Sequence, residues 1–138
     1  MDNISIERIW QEDSFFEIRA RAKSQFAWVT TDVYVTDADI SELANALATF
    51  PERSDSEINW QVSGMFAKTK KLSLKVFNKD KLGHLLVEVY MVIDDSGENH
   101  NCCFYIQTEI GQLNTFGKNL LSVNKPVWGT KVSLVGDF

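Results

Sequence analysis

The hydrophobic pattern of the first half of the chain predicts three strands. Residues 16–23, FEIRARAK, carry an apolar side chain at every second position and charged side chains between them, as in a strand with one buried and one solvated face. Residues 4–10 and 26–35 are also rich in alternating, β-branched or aromatic side chains. The three segments are sequential and closely linked, so we expect antiparallel neighbours.

The hydrophobic period then changes from two to between three and four. Apolar side chains between Ile40 and Phe50 recur at this spacing, which predicts a helix on residues 36–50 that ends before Pro51. Thr36 and Asp39 have the types and spacing of a capping box at its start.

The second half repeats this plan. Its predicted strands are residues 58–62, 72–76, 85–93 and 102–107, with a turn at 94–99. A second helix is predicted on residues 108–121, with Ile110, Leu113, Gly117, Leu120 and Leu121 on its buried face. The tail PVWGTKVSLV adds one more strand. We therefore predict one α+β domain over residues 1–138, mainly antiparallel β-sheet of about seven or eight strands, with two helices that each follow a strand-rich half.

Composition and charge narrow the class of protein. Nineteen acidic and fourteen basic residues give a net charge of −5, which makes nucleic acid an unlikely ligand and favours a basic protein partner. The start of the chain has no secretory signal pattern, and no apolar run approaches the length of a membrane span. We expect a cytoplasmic protein with reduced thiols and no membrane partner.

The segment NHNCCFYIQTEI, residues 99–110, gathers His100 with both cysteines and suggests a metal ion or a nucleophile. Cys102 and Cys103 are adjacent, so on a strand their side chains face opposite ways and cannot share a tetrahedral metal site. Beside Phe104 and Tyr105 the cysteines are expected to be small buried hydrophobes. The prediction is that the chain has no catalytic residue, no metal and no cofactor, and is not an enzyme.

Aromatic and basic residues leave alternatives open. The four tryptophans, Trp10, Trp28, Trp60 and Trp128, are expected in the core, with stacking platforms or interface anchors as the alternative. Lysines near residues 68–81 are interpreted as the solvated face of a strand, with a nucleic-acid groove as the alternative.

Several loosely spaced motifs can be placed together on these elements. They are T-D-x-x-I-x-x-L from residue 36, the turn Gly83–His84, the strand LLVEVYMV, the strand C-x-F-x-I-x-T-E from residue 102, and I-x-x-L-x-x-F from residue 110. Over residues 4–121 this pattern resembles the small bacterial immunity proteins related to the one that protects cells from their own wall-associated, contact-dependent toxin.

The resemblance implies a cytoplasmic protein that caps the toxic C-terminal domain of a sister toxin, often a nuclease. Nuclease domains are basic where they bind phosphate, so an acidic partner could bind them quickly and occlude them. On charge alone, the expected toxin interface consists of Glu12, Asp13, Asp94, Asp95 and Glu98.

Two rival functions remain from the sequence. The order of two sheet-plus-helix halves also resembles the Whirly proteins, which predicts a single-stranded nucleic-acid-binding protein; the negative net charge opposes this. A small enzyme with a thiol or carboxylate group is the second rival, and rapid alkylation of Cys102 or Cys103 would support it.

Overall fold

The computed structural model describes residues 2–11, 14–51, 56–63, 70–80, 82–95 and 97–135. In these residues the elements are β1 (Asn3–Gln11), β2 (Phe16–Lys23), β3 (Trp28–Val35), α1 (Asp37–Ala48), β4 (Glu57–Ser63), β5 (Lys70–Asn78), β6 (His84–Asp95), β7 (Glu98–Glu109), α2 (Ile110–Leu120) and β8 (Lys131–Val135). A 3-10 helix, Leu121–Asn124, continues directly from α2.

The strands form two four-stranded antiparallel sheets. Sheet A has the order β3-β2-β1-β8, and sheet B has the order β4-β5-β6-β7. Helix α1 follows the strands of sheet A, α2 follows sheet B, and the tail returns as β8 at the edge of sheet A. The predicted α+β class, with two helices that each follow a strand-rich half, is confirmed.

Local sequence determines β2 and the start of α1 as predicted. Alternate side chains of β2 from Phe16 to Ala22 are buried, and those between them are partly exposed. At the helix start, the Thr36 hydroxyl accepts from the Asp39 backbone N–H at 3.2 Å, and the Asp39 carboxylate accepts from the Thr36 N–H at 2.9 Å. These two bonds satisfy N–H groups that the first helical turn leaves unpaired.

The two sheets and the two helices share one core. Buried apolar side chains from the inner faces of both sheets and from α1 and α2 form a single cluster. The other face of each sheet carries side chains that are half-buried or exposed, apart from the buried Ser5. We call these two faces the outer face of sheet A and the outer face of sheet B.

The two helices meet closely where α1 ends. Asn114 of α2 donates its amide to the backbone oxygens of Leu47 at 2.8 Å and of Phe50 at 3.4 Å, in the last turn of α1 and just after it. One turn further on, Gly117 lies against the backbone of Leu47 and Ala48. A glycine fits at this position because α1 occupies the space that a Cβ atom would take.

The second half differs from the prediction in its boundaries. Strands β6 and β7 extend through the predicted turn to Asp95 and Glu98, which are directly paired, and Gly97 between them has a φ of +90°. Such a φ favours glycine because it has no Cβ, so the turn is tighter than its polar sequence suggests.

The predicted buried face of α2 needs two corrections. Leu121 is exposed, because it lies in the 3-10 helix, where the tighter turn rotates it away from the core. Phe116 is buried in the cluster and was missing from the prediction.

We predict that Gly117→Ala lowers the free energy of unfolding by about 2–3 kcal/mol, because a Cβ there would lie 2.8 Å from the Leu47 Cβ and would push the helices apart. Gly111→Ala, in the same helix but with no atom within 4 Å of the added Cβ, is the matched control. It should be neutral or stabilising by up to about 1 kcal/mol through helix propensity. Urea unfolding measures both, and equal effects would contradict the close helix contact.

Candidate partner-binding surface

The outer face of sheet A carries a row of charged side chains that are largely paired. Arg19 donates two hydrogen bonds to the Asp32 carboxylate, at 2.9 and 3.1 Å, which raises the pKa of the guanidinium. Arg21 donates to Glu7 at 3.0 Å. These cross-strand pairs fix the middle of the face and leave little unpaired charge there.

Exposed aromatic side chains lie at both ends of this row. At one end, Trp28 is 74% exposed and Phe26 is 87% exposed, with the Lys23 ammonium 6.0 Å from the Trp28 ring centre. At the other end, Trp128 is 71% and Trp10 47% exposed, and their rings meet edge to face at 6.3 Å. Large apolar rings in water are unfavourable in an isolated monomer and are common anchors of protein interfaces.

The spacing of the two ends fits one protein partner. Trp28 pairs with Lys23 and Trp10 pairs with Glu17, so the two indoles are six residues of β2 apart, or roughly 20 Å. A standard interface covers about 800 Å² on each partner and would reach both ends.

The C-terminal segment positions one of these aromatic clusters. β1 has a bulge between Arg8 and Trp10. The backbone of Arg8 pairs with the loop after the 3-10 helix, as the Arg8 N–H donates to Thr130 and the Gly129 N–H donates to the Arg8 carbonyl, both at 2.9 Å. Gly129 has a φ of +80°, so this tight loop needs a glycine. Trp128 is carried on that loop.

The expectation that all four tryptophans lie in the core is wrong for three of them. Only Trp60 is buried, where its indole N–H donates to the Asp39 carbonyl at 3.1 Å. The sequence did contain a signal that Trp28 is exposed. Side chains alternate between the two faces of β3, and Trp28 lies on the face of Thr30 and Asp32, opposite the buried valines.

A cleft connects this surface to the end of the β6–β7 hairpin. The cleft has a volume of about 370 Å³ and is lined by Arg19, Arg21, Thr30, Thr31, Asp32 and Ile93. Ile93 is followed directly by Asp94 and Asp95, and Glu98 is paired with Asp95. We call Asp94, Asp95 and Glu98 the acidic hairpin end. It begins at the residue directly after Ile93, which lines the cleft on sheet A.

The structure describes only part of the predicted toxin interface. Glu12 and Asp13 lie outside the described residues. Asp94 and Asp95 are the last two residues of β6, and their side chains are also outside the description. Glu98 is exposed at the start of β7. The structure brings these last three together, and their role in binding stays a prediction.

The outer face of sheet B presents aromatic rings, lysines and two carboxylates. Its aromatic members are Phe77 and Tyr105, whose rings meet edge to face at 6.4 Å, and Tyr90, with the Lys71 ammonium 5.8 Å from its ring centre. Its other charged members are Lys75, Lys79, Glu57 and Glu88. Tyr105 donates to Glu88 at 3.5 Å.

The cysteines do not pack in the core, which corrects the expectation from sequence. Cys103 is exposed on the outer face of sheet B, and Cys102 is half-buried on the opposite face. The reason is that the first half of β7 extends beyond the core, so that burial in this strand begins only at Ile106. Alternation alone could not show where along the strand the core ends.

Cys103 has no features of an activated nucleophile. Partial burial and the nearby Glu88 carboxylate, whose Oε1 lies 3.8 Å from the Sγ atom, raise the pKa of the Cys103 thiol. His84 contacts the Asp80 carboxylate through Nδ1 at 2.7 Å. That contact lowers the pKa of Asp80.

Comparisons with known proteins assign no family to this chain. No family model matches the chain, and no curated protein sequence matches it. Among solved structures, the chain is similar to WHY3 from Arabidopsis thaliana, with 10% identity and a TM-score of 0.49, over 90% of this chain and 80% of that chain. A likeness this distant transfers no residue role. In the described residues, no helix has the length and apolar character to cross a membrane.

We predict that Cys103 reacts slowly with iodoacetamide although it is exposed. In a Cys102→Ser background near neutral pH, native protein should be alkylated several-fold more slowly than urea-unfolded protein, because the raised pKa leaves less thiolate. Glu88→Gln removes the negative charge and should accelerate the native reaction. Glu109→Gln, a matched loss of charge at the end of β7, should leave the rate unchanged; rapid alkylation of the parent would contradict this account.

Proposed function

We propose that this chain is a cytoplasmic immunity protein that binds the toxic C-terminal domain of a cognate toxin, a nuclease domain, and neutralises it by stoichiometric occlusion. The observation that carries the proposal is the pair of exposed aromatic clusters on a sheet whose charged side chains are already paired. Trp28 and Trp128 give such a surface two rigid anchors at little cost in side-chain entropy. Occlusion needs no cofactor and no catalysis by this protein.

Charge supports a basic partner. The chain has a net charge of −5, and the acidic hairpin end begins next to the cleft on sheet A. A phosphate-binding domain has an excess of Lys and Arg, so the negative field would accelerate the encounter while the aromatic anchors slow dissociation. Charge therefore governs the association rate in this proposal, and the indoles govern complex lifetime.

The first test is co-expression with a toxin domain encoded directly upstream. We expect a stable 1:1 complex and survival of the cells. Trp28→Ala should weaken the complex by at least about tenfold, because a central indole at an interface is typically worth about 2 kcal/mol or more. Calorimetry or biolayer interferometry measures the affinity. The association rate should fall with rising salt.

Tyr105→Ala is the matched control, because it removes a half-exposed aromatic ring from the outer face of sheet B instead. It should leave toxin affinity unchanged. Absence of both complex and protection would end the proposal, whereas loss of binding only in Tyr105→Ala would move the interface to sheet B.

A second candidate function, single-stranded nucleic-acid binding, is favoured by the outer face of sheet B. Phe77, Tyr90 and Tyr105 could stack on bases while Lys71 and Lys79 neutralise phosphates. This candidate predicts oligonucleotide binding at near-physiological salt that weakens by about tenfold in Tyr105→Ala and is unchanged in Trp28→Ala. Fluorescence anisotropy measures it, and no binding at that salt would exclude it.

A further inference from the structure

A basic cleft is formed by C-terminal elements of the chain, and none of its lining residues belongs to the aromatic clusters described above. It has a volume of about 540 Å³ and lies between the end of α2, the 3-10 helix and β8. Three lysines line it, Lys118 in the last turn of α2, Lys125 just after the 3-10 helix, and Lys131 at the start of β8. The other lining residues are Asn119, Leu121, Ser122, Val132 and Ser133.

The charged side chains that line this cleft are all basic. No acidic side chain is among its lining residues, and within the described part of the chain none of the three lysines makes an ion pair. Lys118 is favoured by the negative end of the helix dipole. Lys131 lies opposite Glu7 in the β1–β8 ladder, but the Glu7 carboxylate accepts a hydrogen bond from Arg21. In a chain with a net charge of −5, three lysines around one cleft form a local region of positive charge that attracts anions.

Backbone structure holds the three lysines in place. The Lys125 N–H donates to the Ser122 carbonyl at 3.2 Å. Lys131 is paired with Glu7 in the β1–β8 ladder, and Lys118 is part of a helix that packs on α1. The backbone positions of the three lysines are therefore fixed around one space, so that a ligand has to order only their side chains.

We propose that this cleft binds a small ligand with an oligophosphate group, such as the polyphosphate chain of a nucleotide. Three ammonium groups suit an anion with several negative charges. The ligand is small because the cleft has the volume of a small-molecule site and no aromatic side chain lines it to stack successive bases. The inference does not depend on the proposed toxin partner.

Calorimetry with inorganic triphosphate tests the proposal on the full chain. We expect one saturable site at near-physiological salt. Lys118→Gln, Lys125→Gln and Lys131→Gln should each weaken binding by about tenfold, as expected for loss of one charge-assisted hydrogen bond. Circular dichroism confirms that each variant is folded, and exposed lysines of this kind can be replaced without disturbing the core.

Lys75→Gln is the control, because it removes the same charge from a residue outside the cleft, where Lys75 pairs with Glu57 at 3.4 Å. It should retain the parent affinity. No binding of triphosphate at millimolar concentration, or an equal loss in Lys75→Gln, would overturn the proposal.

A single-stranded oligonucleotide provides the second arm, because its backbone offers the same phosphate chemistry. If the affinity of the strand for each site is lower than that of triphosphate, the result supports a small ligand. Tighter binding of the strand, lost in the cleft variants and kept in Tyr105→Ala, would show that the cleft serves a nucleic acid and would refute the small-ligand assignment.

Discussion

The buried guanidinium of Arg8 is the contact on which the C-terminal third of the fold depends. Arg8 is 5% exposed, lies 3.9 Å from the centre of the Phe16 ring, and donates to the Val123 carbonyl of the 3-10 helix at 2.9 Å. Burial lowers its pKa and Asp37 opposes that effect. Because a charge removed from water costs several kcal/mol unless it is well bonded, the 3-10 helix has to keep its position against β1.

Both candidate surfaces follow from that anchor. The backbone of Arg8 holds Gly129 and Thr130, so Trp128 is fixed beside Trp10 on sheet A. The same segment carries two lysines of the basic cleft, one on each side of Trp128 in sequence. A short C-terminal segment, held by contacts with one buried arginine, thus carries both an aromatic anchor and two cations on a backbone that is already fixed.

The sequence predicted what local interactions determine. The period of β2 and the capping box of α1 need only neighbouring residues, and both are confirmed. The exposure of Cys103 depends on how far along β7 the core extends, and this is set by contacts distant in sequence. Composition could not find the basic cleft either, because Lys118 and Lys131 meet only through the packing of α2 and β8. The net charge of −5 gives no indication of a local region with positive charge.

The common segment also couples the two proposed sites. Trp128 is three residues from Lys125 and three from Lys131, so its Cα lies within about 11 Å of each along the chain. A ligand that contacts both lysines holds both ends of the loop that carries this indole. If this ligand changes the free energy with which the partner binds at Trp128, linkage requires that the partner changes the binding free energy of the ligand by the same amount. The acidic and aromatic surface of sheet A and the basic cleft are therefore distinct in chemistry but not independent in energy.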